Sequence, residues 1–262
     1  LVTGTVMEED CDGLCWQYLI KEEKIRPDVC VITEPTGLRI YRGHRGRMEI
    51  EASVKGLSSH GSAPERGDNA IYKMMPLVLE IEKLNKKLKH DKFLGKGTVV
   101  VSEISSIGPS QCAVPDGCKI YMDRRLTDGE TKELAISQIN EIVEKSGGVV
   151  TLPVYDKPAY TGKVYPTEKY YPTWAIPENH RAVRTSANVC KELFGEVPVI
   201  DKWTFSTNGV AICGMHEIPC VGFGPGFEEQ AHAPNEWTPV EHLSKACAFY
   251  AAFPTKLSFS LY

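Results

Sequence analysis

Residues 48–75 read MEIEASVKGLSSHGSAPERGDNAIYKMM. At the start of this stretch Met48, Ile50, Ala52 and Val54 alternate with Glu49, Glu51, Ser53 and Lys55. That period of two belongs to a strand with one buried face and one wet face. A turn-rich tract, GLSSHGSAPERGDN (56–69), ends the strand. Ile71, Met74, Met75, Val78, Ile81, Leu84 and Leu88 then recur at helical spacing. Further on, 99–104 and 119–123 read as strands and 149–154 as a closing strand. Between them, 131–145 reads as a helix burying Ala135, Ile139, Ile142 and Val143. The order β-α-β-β-α-β predicts a ferredoxin-like α+β sandwich over 46–157.

The flanking segments follow another pattern. LVTGTV (1–6) reads as a strand, 13–24 as an amphipathic helix and VCVIT (29–33) as a buried strand. After a Tyr- and Pro-rich passage at 157–177, the alternation resumes. A helix is expected at 178–193, a strand at 197–200, a short helix at 208–215 and a strand at 219–223. A last helix is expected at 240–253, behind Pro239. Alternation of this kind predicts an α/β domain with an open mixed sheet flanked by helices. It would be divided between 1–45 and 158–262, with the sandwich inserted as a lid or dimerisation domain.

Composition narrows the function classes. Hydrophobic residues make up 42% and charged residues 24%, which are ordinary globular values. A net charge of −4 without a basic run argues against nucleic acid. The apolar stretches are too short to cross a bilayer, so no membrane partner is expected. Nine cysteines without a CxxC pair read as reduced thiols, which predicts a cytoplasmic protein.

The candidate chemistry lies where strands are expected to end. Glu8 and Glu9 follow 1–6, Glu34 follows 29–33, and His232 lies beyond 219–223. Open α/β sheets bind ligands outside the carboxyl ends of their strands. Two carboxylates and an imidazole are suitable zinc ligands. In the adjacent pair Glu8-Glu9, one carboxylate can ligate while its neighbour stays free as a base. Each signal has a plain alternative: MEED as a solvated acidic turn at a helix N-terminus, Glu34 as a turn residue before proline, His232 as a surface imidazole. VGFGPGF (221–227) is either loop punctuation or a place where backbone amides come close to a ligand.

Five ordered motifs span nearly the whole chain: GTVMEEDCDG (4–13), ITEPTG (32–37), GLSSHGSAPERGDNAI (56–71), AVPDGCKIYMDRRLTDGET (113–131) and GFGPGFEEQAHAPNEW (222–237). Together they resemble the zinc metallopeptidase and amidohydrolase family of glutamate carboxypeptidase, acetylornithine deacetylase and succinyl-diaminopimelate desuccinylase. Within it, the chain is most similar to the bacterial hydrolases associated with selenium metabolism. The resemblance implies a homodimeric enzyme with two zinc ions, cobalt or manganese being alternatives. It would cleave an amide bond of a small N-acyl amino acid or dipeptide-like substrate bearing a carboxylate. Glu8 matches the general base and Glu9 a ligand of one metal. Glu34 matches the acidic ligand of one metal, and His232 the imidazole ligand of the other. His60 matches a lid histidine that stabilises the oxyanion in the partner's site, and Arg125 an arginine near the substrate carboxylate. Glu236 is a candidate partner for the His232 ring.

The chain departs from that family in three places. Cys112 stands where the family commonly has Asn, and Asn208 where it commonly has Asp; the resemblance implies that both bind substrate, and the changes put the usual specificity for acetylornithine or succinyl-diaminopimelate in doubt. The family's upstream His-x-Asp motif has no counterpart here. The expectation is therefore an incomplete chain that binds metal weakly by itself. The competing reading is a truncated, non-catalytic dimerisation fragment. A cysteine hydrolase using Cys11 or Cys112 is the third.

Overall fold

The computed structural model describes residues 1–259. Its main elements run α1 (Leu14–Lys21), β1 (Cys30–Ile32), β2 (Ile40–His44), β3 (Gly46–Lys55), α2 (Ala70–Lys87), β4 (Thr98–Ile107), β5 (Gly117–Leu126), α3 (Lys132–Val143) and β6 (Val149–Thr151). They continue as β7 (Tyr170–Tyr171), β8 (Trp174–Ala175), α4 (Arg181–Phe194), β9 (Ile200–Trp203), β10 (Cys220–Gly222) and α5 (Val240–Phe259). The chain forms two compact units, one from Gly46–Pro172 and one from Leu1–Arg45 with the segment beginning at Thr173.

In the inserted unit the strands stand in the order β6–β3–β5–β4, each antiparallel to its neighbour. This is the ferredoxin-like sandwich expected. β3 and β5 pair along their full length, from Gly46 with Leu126 to Lys55 with Gly117. Met48, Ile50, Ala52 and Val54 face Met74, Leu77 and Ile81 of α2 and Ile139 and Val143 of α3. Each large side chain buried this way contributes about 1.5–3 kcal/mol. The helices start where side chains accept orphan amides. Asn69 takes those of Ile71 and Tyr72, and Thr131 takes that of Leu134.

Two features of this unit differ from the sequence reading. Glu49, placed on the wet face, is buried. Arg47 Nη2 and Lys169 Nζ each reach it at 2.6 Å, with the Tyr171 ring under the guanidinium. The 157–177 passage supplies this cover, because Tyr170 and Tyr171 add a short strand against Met48 and Arg47. For the same reason the inserted unit closes at Pro172 and not at 157. At the far end of β5, Arg124 is fully buried against Glu130 and Gln138. Glu130 also accepts the Thr127 amide at 2.8 Å.

The other unit carries a mixed sheet of short strands in the order β1–β10–β2–β8, with β9 also on β2. β1 and β10 are parallel, Cys30 beside Cys220 and Ile32 beside Gly222. β2 runs antiparallel to β10 and β8 and parallel to β9. Ile40, Val221 and Phe223 share a core with Val183 and Val189 of α4 and Phe249 and Phe253 of α5. Residues 1–6 are not a strand. They have no ladder partner among the described residues, and Leu1 and Val2 are almost wholly exposed. β-propensity without a neighbour to bond does not make a strand. The short helix expected at 208–215 is a π-helix at Val210–Met215.

Candidate active site

Three loops of the sheet unit carry the acidic and imidazole candidates. Glu8 and Glu9 lie in a tight turn closed by the Cys11 amide on the Met7 carbonyl at 3.2 Å. Glu34 follows β1, and His232 lies in the long loop after β10. The last two loops are laced together by backbone. Thr36 Oγ1 accepts the Gly224 amide at 3.0 Å and donates to Arg39 O at 2.8 Å. The Gly37 amide reaches Gly226 O at 2.7 Å, and Trp203 Nε1 reaches Pro35 O at 3.1 Å. A Cβ on Gly224 would stand 2.0 Å from the Glu34 carbonyl oxygen. Only glycine permits this approach, so VGFGPGF serves close backbone contact.

Glu9, Glu34 and His232 share one neighbourhood. His232 Nε2 lies 3.5 Å from Glu9 Oε2, with both side chains mostly exposed. Glu34 is half-buried, and burial raises its carboxyl above the ordinary carboxylate range. The Glu9 charge adds to that rise, and His232 opposes it. Of six non-glycine residues with left-handed backbone among the described residues, four lie in these loops: Met7, Leu38, His232 and Asn235. Each such conformation costs about 1–2 kcal/mol, and strain of this kind clusters at functional sites.

The donor chemistry fits a divalent cation. Two ligands on one tetrahedral zinc, each about 2.1 Å from it, stand about 3.4 Å apart. The observed Glu9–His232 separation matches that edge. Among the described residues, however, no three His, Cys, Asp or Glu side chains are grouped tightly enough to enclose an ion. Glu34 is a neighbour of the pair and not a third member of a closed shell.

Asn208 stands just ahead of the π-helix. Its Oδ1 accepts the Gly13 amide at 3.1 Å, with Cys15 Sγ at 3.8 Å. Cys11 is fully buried, which removes it as an attacking group.

In the inserted unit, His60 and Cys112 are neighbours. The Gly61 amide donates to Cys112 O at 2.7 Å, and His60 forms a bridge with Ala113. Both residues are exposed. His60 Nδ1 accepts the Ser62 amide at 3.1 Å, which leaves Nε2 to carry the proton and donate outward. Arg125 grips Asp123 through Nε at 2.7 Å and Nη2 at 3.0 Å, leaving Nη1 outside the pair. The strand alternation sends Arg124 into the core and Arg125 to the opposite face.

Residues 42–150 match the model of the peptidase dimerisation domain of the M20 family. The protein YgeY of Escherichia coli is 57% identical over 256 residues, covering 97% of this chain and 64% of YgeY. Acetylornithine deacetylase of Klebsiella pneumoniae is 27% identical over 227 residues, covering 84% of this chain and 55% of the enzyme. The aminopeptidase PepT of Bacillus cereus shares the fold with a TM-score of 0.71 and 21% identity, over 97% of this chain and 63% of PepT. The chain is thus similar to the M20 peptidases, whose dimerisation domain it matches over 42–150. It spans less than two thirds of the length of these relatives. No helix among the described residues is long and apolar enough to cross a membrane.

Proposed function

We propose that this protein is a metal-dependent hydrolase that cleaves an amide bond of a small N-acyl amino acid or dipeptide-like substrate. The observation that carries the reading is the meeting of Glu9 with His232 at 3.5 Å beside the half-buried Glu34. Glu9 and His232 would hold one ion, and Glu34 would contribute to a second. A bound zinc, cobalt or manganese would polarise the scissile carbonyl and acidify a water.

The chain's own groups supply the rest. Glu8, next to a ligating carboxylate, takes the proton of the attacking water and delivers it to the leaving amine. His60, with its proton on Nε2, is a donor suited to a developing oxyanion. Arg125 has Nη1 outside its Asp123 pair for a substrate carboxylate. A homodimer formed through the inserted unit is consistent with the dimerisation domain and with the exposed Ile104 and Ile107 on β4. The names of relatives support the substrate class, since one is a deacetylase and another an aminopeptidase.

The test is Glu8→Ala, assayed on a panel of N-acyl amino acids and dipeptides alongside metal analysis by mass spectrometry. Turnover should fall by about 10²–10⁴-fold, the usual share of a general base, while bound metal stays unchanged. Undiminished turnover would remove Glu8 from the role. Inhibition by a thiol alkylator but not by a chelator would point instead to Cys112.

A further inference from the structure

The turn bearing Glu8 and Glu9 is attached to the sheet unit in an unusual way. Helix α1 follows it directly, entered through Gly13 in a left-handed conformation, and Gly13 has no side-chain cap to offer. The cap comes from 195 positions away, as Asn208 Oδ1 accepts the Gly13 amide. The fit is close. A Cβ on Gly13 would stand 2.6 Å from Ala211 Cβ of the π-helix, so the start of α1 rests directly on that element. π-Helical turns recur at functional sites.

Asn208 is in turn fixed from below. Its neighbour Thr207 is fully buried, with its amide 3.1 Å and its hydroxyl 3.0 Å from His44 Nε2. Thr207 Oγ1 also accepts the Gly209 amide at 3.1 Å, opening the π-helix. His44 is fully buried. Its Nδ1 lies 2.8 Å from Arg45 O, and its Nε2 accepts the Trp174 indole N–H at 2.7 Å. With Nδ1 donating and Nε2 accepting, the ring is a neutral tautomer of defined orientation. A Cβ on Gly209 would meet the Trp174 ring at 2.5 Å, so no slack remains between them.

We propose that His44, Thr207 and Asn208 form a buried positioning relay that sets the place of the Glu8-Glu9 turn through the Gly13 amide. This deepens the metal-hydrolase reading and rests on it for its functional half. It assigns Asn208 to holding the carboxylate turn and not to touching substrate. The acceptor oxygen at this position is what matters, so aspartate can replace asparagine, whereas a side chain without an acceptor cannot.

Two measurements on Asn208→Ala and Asn208→Asp test the relay. In hydrogen exchange, Asn208→Ala should speed exchange in the peptide spanning 13–20 by about 5-fold, the value of one helix cap, and Asn208→Asp should leave it near the native rate. Unchanged exchange in Asn208→Ala overturns the relay. In calorimetric titration with Zn²⁺ alone, Asn208→Ala should weaken binding by about 10-fold or more, as loss of a supporting partner does, with recovery in Asn208→Asp. Faster exchange with unaltered Zn²⁺ affinity would reduce the relay to a structural cap and overturn its functional half. Native protein that takes up no Zn²⁺, with the exchange effect intact, overturns the functional half through the metal reading and leaves the attachment of α1 standing.

Discussion

The two units solve the same problem with opposite means. The inserted unit rests on ladders such as β3 with β5, ten residues long and in full register, backed by two helices over one core. The sheet unit has strands of two to five residues, and its loops are tied together by single hydrogen bonds and by glycines pressed against carbonyls. Long antiparallel pairing gives stability that local pattern can specify. Short parallel strands leave the carboxyl ends free to carry loops, where strained residues and donor groups gather. Long pairing dominates the first, and strained loops with donor groups the second.

Substitutions at three positions probe that contrast, and the largest effect belongs to the inserted unit. Arg124→Ala leaves the Glu130 carboxylate buried without its cation, and removing one partner of such a pair costs about 3–5 kcal/mol. Hydrogen exchange should show the loss within Gly46–Pro172 and spare the π-helix and β10. Uniform loosening of both units would contradict their independence. Gly224→Ala should do the reverse. Its Cβ would collide with the Glu34 carbonyl, so the lacing of the two site loops must open. Zn²⁺ affinity should fall by about 10-fold or more, with little change in exchange across β3 and β5.

The smallest effect lies at the start of α4. His180 Nδ1 accepts the Ala182 amide at 3.1 Å, which requires that nitrogen to be unprotonated. Burial, with Arg181 and Arg184 nearby, holds the imidazole below its ordinary value of 6.5. The unfolded chain therefore takes up a proton before the folded chain does. Stability from this group is complete above the ordinary value and declines as pH drops below it. His180→Ala should cost about 1 kcal/mol at neutral pH, and His180→Asn should remove the acid sensitivity without that loss. Denaturant unfolding at neutral and mildly acid pH reads both.

The inserted unit was largely legible in the sequence, because period two and helical spacing report directly on which side chains meet. Met48 to Val54, Met74 and Ile81 lie as their spacing indicates, whereas Met75 is exposed and Leu77, outside the expected row, is buried. Glu49 escaped the same logic, since its burial depends on Lys169 and Tyr171, more than a hundred positions away. In the sheet unit the motifs lie on loops that bring Glu9 to His232, while the glycines of 221–227, read as a place for a ligand, are pressed against the Glu34 loop. The segment 1–6 misled because a β-branched run carries no information about whether a neighbour exists. The tie between Asn208 and Gly13 had no local signal at all. Its only trace was a glycine at 13 and an amide side chain ahead of Gly209.

The pairing of Tyr171 with Arg47 has one more consequence. Those residues are almost the first and last of the insertion, so once it has folded its two exits stand a single strand spacing apart. Within the other unit, Trp174 pairs with His44. Joining Cys30 to Cys220 across an unfolded intervening chain carries a closure cost that grows slowly with its length. A folded insertion takes Gly46–Pro172 out of that route, which lowers the cost of closing the discontinuous unit.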